Sequence, residues 1–282
     1  MPLVSIVEQL KRGRQEGYAV PLFDTFNMET TEGMFLALEE THAPGMIALY
    51  SGVLERPNAA ALAAYIRKRA ESAPGPVALV LDHGQSFEHC MRAITLGFTD
   101  VMYDGSRLPI EENIATTAAV VRAAHAVGVG VEAELGHVGS GKEYQEFGAR
   151  RLGFTDPETV APFVEQTGVD FLAVAFGSAH GVFQGEPQLD LDLLAEIAAR
   201  VEIPLVMHGG SGLSEEQFRG AIACGVAKIN IATDLFQEAT RRVLGAARDG
   251  DASFFDFSRH VTEAVCERAA YHLRLFGAAG KA

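Results

Sequence analysis

Residues 76–105 read PVALVLDHGQSFEHCMRAITLGFTDVMYDG, one full repeat of the architecture. The apolar run Pro76–Leu81 does not alternate with polar residues, so it reads as a strand buried on both faces. It stops at Asp82-His83-Gly84. The next segment, SFEHCMRAITLG, spaces its apolar residues three and four apart, as a helix does. A second apolar run, DVMYDG, then ends on Asp104. Strand, helix and strand in this order make a parallel βαβ unit.

Outward from this unit the pattern repeats. The other apolar runs are YAVPLF (18–23), GMIALYS (45–51), VGVGVEAELG (127–136), FLAVAFGSAH (171–180), IPLVMHGG (203–210) and AKINIAT (227–233). Helical patterns such as TTEGMFLALEETH and PIEENIATTAAVVRAAHAVG lie between them. Eight strand–helix units predict an α/β fold, a closed (β/α)8 TIM barrel. No Pro/Ser/Gly-rich linker divides the 282 residues, so a single domain spanning 1–282 is expected. A doubly wound open sheet is the alternative, but no GxGxxG follows the first strand.

Barrel enzymes carry their chemistry at the C-terminal ends of the strands. Those ends here are Asp24, Ser51, Asp82 with His83, Asp104, Glu132 with Glu134, His180 with Gly181, His208 through Ser211, and Asn230 through Asp234. Of the nine histidines, His42, His89, His125, His260 and His272 fall on helical patterns and read as surface or core residues. His83, His180 and His208 share one topological position, each before a glycine. Three neutral imidazoles can hold a catalytic zinc and leave a position open for substrate. Glu132 and Glu134 are two apart and face the same way. Burying both against the helix layer would be costly, so they should face the barrel mouth, with Glu134 an alternate or second metal ligand. Asp82 and His83 are neighbours on a strand and reach one site only through a turn, expected at Gly84.

HGGSG after the seventh strand and NIATD after the eighth offer backbone N–H groups and a helix N-terminus to an anion. The chain has a net charge of −14, which excludes nucleic acid and anionic membranes as partners. Phosphate must therefore be bound locally. Three dispersed cysteines, Cys90, Cys224 and Cys266, read as free thiols in a reducing cytoplasm. The charged N-terminal segment does not read as a secretory signal, and no apolar stretch is long enough to span a membrane.

LDHG, EENIATT, VEAELG, GSAHG, LVMHGGSGL, KINIATD and the terminal FGAAGKA occur in this order over nearly the whole chain. In these motifs the chain resembles the class II, zinc-dependent ketose-bisphosphate aldolases of the fructose- and tagatose-bisphosphate type. The resemblance implies reversible cleavage of a ketose 1-phosphate or 1,6-bisphosphate to dihydroxyacetone phosphate and an aldehyde. It implies one Zn2+ per subunit, a monovalent cation as an accessory, and a homodimer or homotetramer in the cytoplasm. His83, His180 and His208 match the zinc ligands, and Glu134 matches a carboxylate near an alternate metal position. Asp82 matches the acid/base on the C4 oxygen. Gly181, Gly209, Gly210, Ser211, Asn230, Ile231, Ala232 and Thr233 match the region that cradles the phosphate-bearing half.

Two positions depart from the family pattern. Asp24 stands where the family usually has an asparagine lining the substrate site. Lys142 stands where the mobile loop usually carries a proton-exchanging glutamate, which leaves Glu143 as the nearest carboxylate for that step. Arg259 is the expected contact for a second phosphate. Three rival readings follow from the same residues. One is a Schiff-base aldolase using Lys228. Another is a metal-dependent amidohydrolase, which would normally open with HxH where this chain has FDTFN. The third is a non-catalytic or weakly active sugar-phosphate-binding homologue.

Overall fold

The computed structural model describes residues 3–141, 152–182, 187–249 and 253–282. Eight parallel strands close into a barrel in sequence order: β1 (Val20–Asp24), β2 (Gly45–Tyr50), β3 (Val77–Gly84), β4 (Asp100–Tyr103), β5 (Gly130–Leu135), β6 (Phe171–Val174), β7 (Leu205–Met207) and β8 (Val226–Ile231). Helix α1 (Val7–Glu16) precedes the barrel. Helices α2 (Met28–Thr41), α3 (Ser51–Leu54), α4 (Ala59–Ala70), α5 (Phe87–Thr95), α6 (Ile110–His125), α7 (Pro157–Thr167), α8 (Leu191–Ala198), α9 (Glu215–Ala223), α10 (Thr233–Arg248) and α11 (Phe254–Leu275) follow their strands. This is the (β/α)8 TIM barrel that the alternating pattern predicts.

Every residue of β1, β4, β5, β6, β7 and β8 is buried, because each strand packs side chains on the barrel interior and on the helix layer. β6 and β7 are shorter than their apolar runs. Ala175 and Phe176 continue β6 in sequence but leave the ladder as buried loop, ahead of Gly177 with φ +118°.

The floor is tied to α1. Asp100 opens β4 and accepts hydrogen bonds from Ser5 Oγ at 2.7 Å and Ile6 N at 3.1 Å. The Arg14 guanidinium donates to the Ala198, Val201 and Ile203 carbonyls, which caps the end of α8 and the approach to β7.

The local feature that shapes the mouth is the end of β3. Its register with β4 shifts between Leu81 and Gly84. His83 takes φ +49°, in the left-handed region that non-glycine residues seldom occupy. The turn is therefore at His83 itself and not, as the sequence suggests, at Gly84. Gly84 is needed for space, since a Cβ there would lie 2.5 Å from the Met102 carbonyl oxygen. The twist brings both Asp82 and His83 to one site.

Candidate active site and metal centre

The three histidines meet: His83 on β3, His208 directly after β7, and His180 in the loop after β6, which ends at Val174 and not, as the sequence suggests, at His180. His83 Nε2 lies 3.1 Å from His180 Nε2 and 2.9 Å from His208 Nδ1. A tetrahedral ion with bonds of about 2.0–2.1 Å sets its ligand nitrogens about 3.3 Å apart. The three rings are steeply inclined to one another, so their lone pairs converge rather than stack.

The remaining nitrogen of each ring is already engaged. His83 Nδ1 is 2.8 Å from Asp104 Oδ2, His180 Nδ1 is 3.2 Å from the Val138 carbonyl, and His208 Nε2 is 2.7 Å from Glu132 Oε1. Such partners fix tautomer and ring direction in metal sites. They leave His83 Nε2, His180 Nε2 and His208 Nδ1 for an ion. This inward convergence of three uncommitted nitrogens fits a divalent metal.

The electrostatics agree. Burial and the facing His83 lower His180 to about 4, and burial pushes His208 well below the usual histidine range. Both are thus neutral near pH 7, as ligands must be. Burial opposes charge on His83 as well, but Asp82, Asp104 and Glu134 overcome it and raise the group to about 10. The site therefore retains a proton where a cation would relieve the same negative charge.

Glu134 is fully buried. Its Oε1 accepts from Val138 N at 3.1 Å, and its Oε2 lies 3.8 Å from His208 Nδ1 with no close hydrogen-bond partner among the described residues. Burial and Asp104 raise its carboxyl to about 8. Glu134, Asp104 and His83 form a second cluster with metal-ligand spacing. Both glutamates were expected at the barrel mouth; Glu132 instead pairs with buried Lys228 and His208 Nε2, while Glu134 lies near His208 Nδ1.

Asp82 is 4% exposed at the wall of a cavity of about 670 Å3 over the histidines. Its Oδ1 accepts from Asn230 Nδ2 at 2.9 Å, and Asn230 Oδ1 accepts in turn from Lys228 Nζ at 2.7 Å. Lys228 Nζ also pairs with Glu132 Oε2 at 2.7 Å, with both side chains fully buried. A continuous polar chain thus runs from Asp82 through Asn230, Lys228 and Glu132 to His208. Removing one member of such a buried pair costs about 3–5 kcal/mol. Lys228 is consequently a structural cation under the site, with no free amine presented to the cavity.

Asp24 lines the same cavity. Its Oδ1 is buried with no hydrogen-bond partner among the described residues, and burial followed by repulsion from Asp82 raises its carboxyl well above the usual range.

A second cavity of about 250 Å3 lies at the N-terminus of α10, the helix that follows β8. Gly181, Ser211, Thr233 and Asp234 line it, joined by Val182, Pro187, Gly212 and Gln237. Ser211 Oγ accepts from Asp234 N at 3.2 Å. The Asp234 carboxylate pairs with Arg268 Nε at 2.5 Å and His272 Nε2 at 2.6 Å, which offsets its charge at the cavity wall.

Other expected site residues fall elsewhere. Asn230 sits inside the barrel against Asp82 and does not line the small cavity. Gly209, with φ +66°, packs against the Ala179 backbone, where a Cβ would lie 2.3 Å from the carbonyl oxygen. Gly210 and Ile231 are buried behind this turn, and Ala232 lines the larger cavity. Ser51 is buried as the first residue of α3, and its neighbour Tyr50 lines the larger cavity. Arg259 lies on the exposed face of α11, paired with Glu263 Oε1 at 3.1 Å and Asp256 Oδ1 at 3.4 Å, and lines neither cavity. Lys142 and Glu143 lie outside the described residues.

The chain belongs to the class II fructose-bisphosphate aldolase family, whose model matches residues 4–281. It is a lyase of that family, whose members use a divalent metal and act on sugar phosphates. Among its relatives, the fructose-bisphosphate aldolase of Thermus caldophilus is 38% identical over 309 aligned positions, covering 99% of this chain and all of the relative. The YdjI protein of Escherichia coli K12 is 40% identical over 265 positions, covering 94% of each chain. The crystal structure of the YdjI aldolase superposes with a TM-score of 0.89 at 36% identity, covering 99% of each chain.

Proposed function

We propose that this chain is a zinc-dependent aldolase that cleaves a ketose 1-phosphate or 1,6-bisphosphate to dihydroxyacetone phosphate and an aldehyde. The observation that carries this reading is the convergence of three histidine nitrogens beside Asp82, each ring fixed from behind. His83 Nε2, His180 Nε2 and His208 Nδ1 would hold the ion, with Glu134 as an alternate ligand. When bound, the ion supplies a Lewis acid for the charge that develops on the ketose half. Asp82 takes the C4 hydroxyl proton during cleavage and returns it during condensation. Asn230 holds Asp82 in place through its amide N–H, and Lys228 holds Asn230 through its carbonyl oxygen. Glu143 is our candidate for proton exchange on the dihydroxyacetone half.

The small cavity at the start of α10 takes the C1 phosphate. It offers the helix N-terminus, the Ser211 hydroxyl and backbone beside Gly181. Ser211→Ala should raise KM for a ketose 1-phosphate about 10-fold or more, the value of one hydrogen bond to a charged group. Its metal content should not change. An unaltered KM would place the phosphate elsewhere.

Borohydride added during turnover should trap no covalent adduct at Lys228, because its amine is buried between Glu132 and Asn230. Substrate-dependent labelling of Lys228 would reinstate the Schiff-base reading. Within the same proposal the enzyme is one domain over 1–282, works as a homodimer or homotetramer and resides in the cytoplasm. Its three free cysteines support that location, and among the described residues no helix is long and apolar enough to cross a membrane. A coupled assay for dihydroxyacetone phosphate release across ketose 1-phosphates and 1,6-bisphosphates tests the activity. No release from any of them would refute it.

A further inference from the structure

Arg107 lies in the loop between β4 and α6 and lines the larger cavity. Its side chain is exposed, and among the described residues its guanidinium makes no hydrogen bond or ion pair. Arg69, Arg242 and Arg259, by contrast, are each paired with glutamates. The loop beneath Arg107 is fixed, because Ser106 N donates to Asp104 Oδ1 at 3.1 Å and Leu108 N donates to the Gly105 carbonyl at 2.9 Å. The unpaired cation therefore stands on a held backbone.

The charge around it is of the opposite sign. Asp24, Asp82 and Asp104 line the same cavity, and the chain as a whole is at −14. An anion above the histidines would be repelled by this floor everywhere except near a compensating cation or a helix N-terminus. The helix N-terminus is at the small cavity beyond β8. In a closed barrel of eight strands in sequence order, β4 lies diametrically across from β8. A substrate with its phosphate beside Thr233 that reaches across the three histidines ends towards Arg107.

We propose that Arg107 is a specificity-determining residue that binds an anion carried by the aldehyde half of the substrate, a terminal phosphate or carboxylate. This rests on the aldolase reading of the same site. The planar guanidinium fork matches either group in a bidentate fashion. It takes the role that Arg259, committed to Asp256 and Glu263 on α11, does not fill within this chain.

The test compares three substrates in the native enzyme and in Arg107→Ala: fructose 1-phosphate, fructose 1,6-bisphosphate, and a ketose 1-phosphate ending in a carboxylate. The ratio of kcat/KM for an anion-ended substrate over fructose 1-phosphate should fall about 10- to 100-fold in the variant, mainly through KM. Arg107→Lys should recover part of that loss, and zinc content should match the native enzyme in both variants. The arm that loses more identifies the anion as phosphate or carboxylate. Equal ratios in native and variant enzymes, with all three substrates cleaved, would overturn the role of Arg107 and leave the aldolase reading standing. No cleavage of any substrate by the native enzyme would overturn both.

Discussion

His208→Ala should lose both its metal and its turnover. His208 is fully buried, its Nδ1 faces His83 Nε2, and its Nε2 is held by Glu132. Removal leaves two imidazoles and no other described nitrogen at that corner. Losing a residue that merely orients a ligand weakens metal affinity about 10- to 100-fold, so losing the ligand itself should cost more than that. Metal analysis after dialysis is the readout, with circular dichroism to show that the barrel persists. Glu132→Gln is the graded companion. It keeps a hydrogen-bond acceptor for His208 but removes the charge facing Lys228, and it should weaken metal binding within the range for an orienting residue. Full metal occupancy in His208→Ala would mean that the ligand set is wrong.

Asp82→Ala should behave differently. Cleavage should fall about 10²- to 10⁴-fold, the usual contribution of a positioned acid/base. Zinc should stay, because Asp82 Oδ2 stands 3.9 Å from His83 Nε2 and the three ring nitrogens do not depend on it. The two variants therefore separate loss of the ion from loss of the proton-handling group. Near-normal turnover in Asp82→Ala would remove that carboxylate from the mechanism.

Most of the barrel could be read from period alone. Strands buried on both faces write themselves as unbroken apolar runs, and the helices between them keep a three- and four-residue spacing. The histidine triad was legible too, although His180 lies in the loop beyond β6, where its backbone is tied to Gly139 and Gly141, and not at the strand end that its apolar run suggests. Features that depend on contacts between distant segments were not. Asp104 was visible as a strand-end acid, but its hydrogen bond to His83 follows from the twist at the end of β3, which a left-handed His83 does not announce in sequence. Asn230 looked like part of a phosphate loop, yet its place on β8 turns it into the barrel to meet Asp82. Lys228 read as a Schiff-base candidate and Glu132 as a mouth-facing acid beside Glu134, and only the approach of β5 and β8 across the interior makes them partners. Arg107 carried no periodic or motif signal at all. What distinguishes it is a guanidinium, unpaired among the described residues, at the wall of the larger cavity, which only coordinates can show.

The central claim is that turnover requires an ion held by His83, His180 and His208. The most direct measurement is dihydroxyacetone phosphate release, with metal quantified in the same samples, before chelation, after chelation, and on return of zinc. The account predicts that activity falls with bound metal and is restored as the content approaches one ion per chain. Undiminished cleavage by metal-free protein would contradict it.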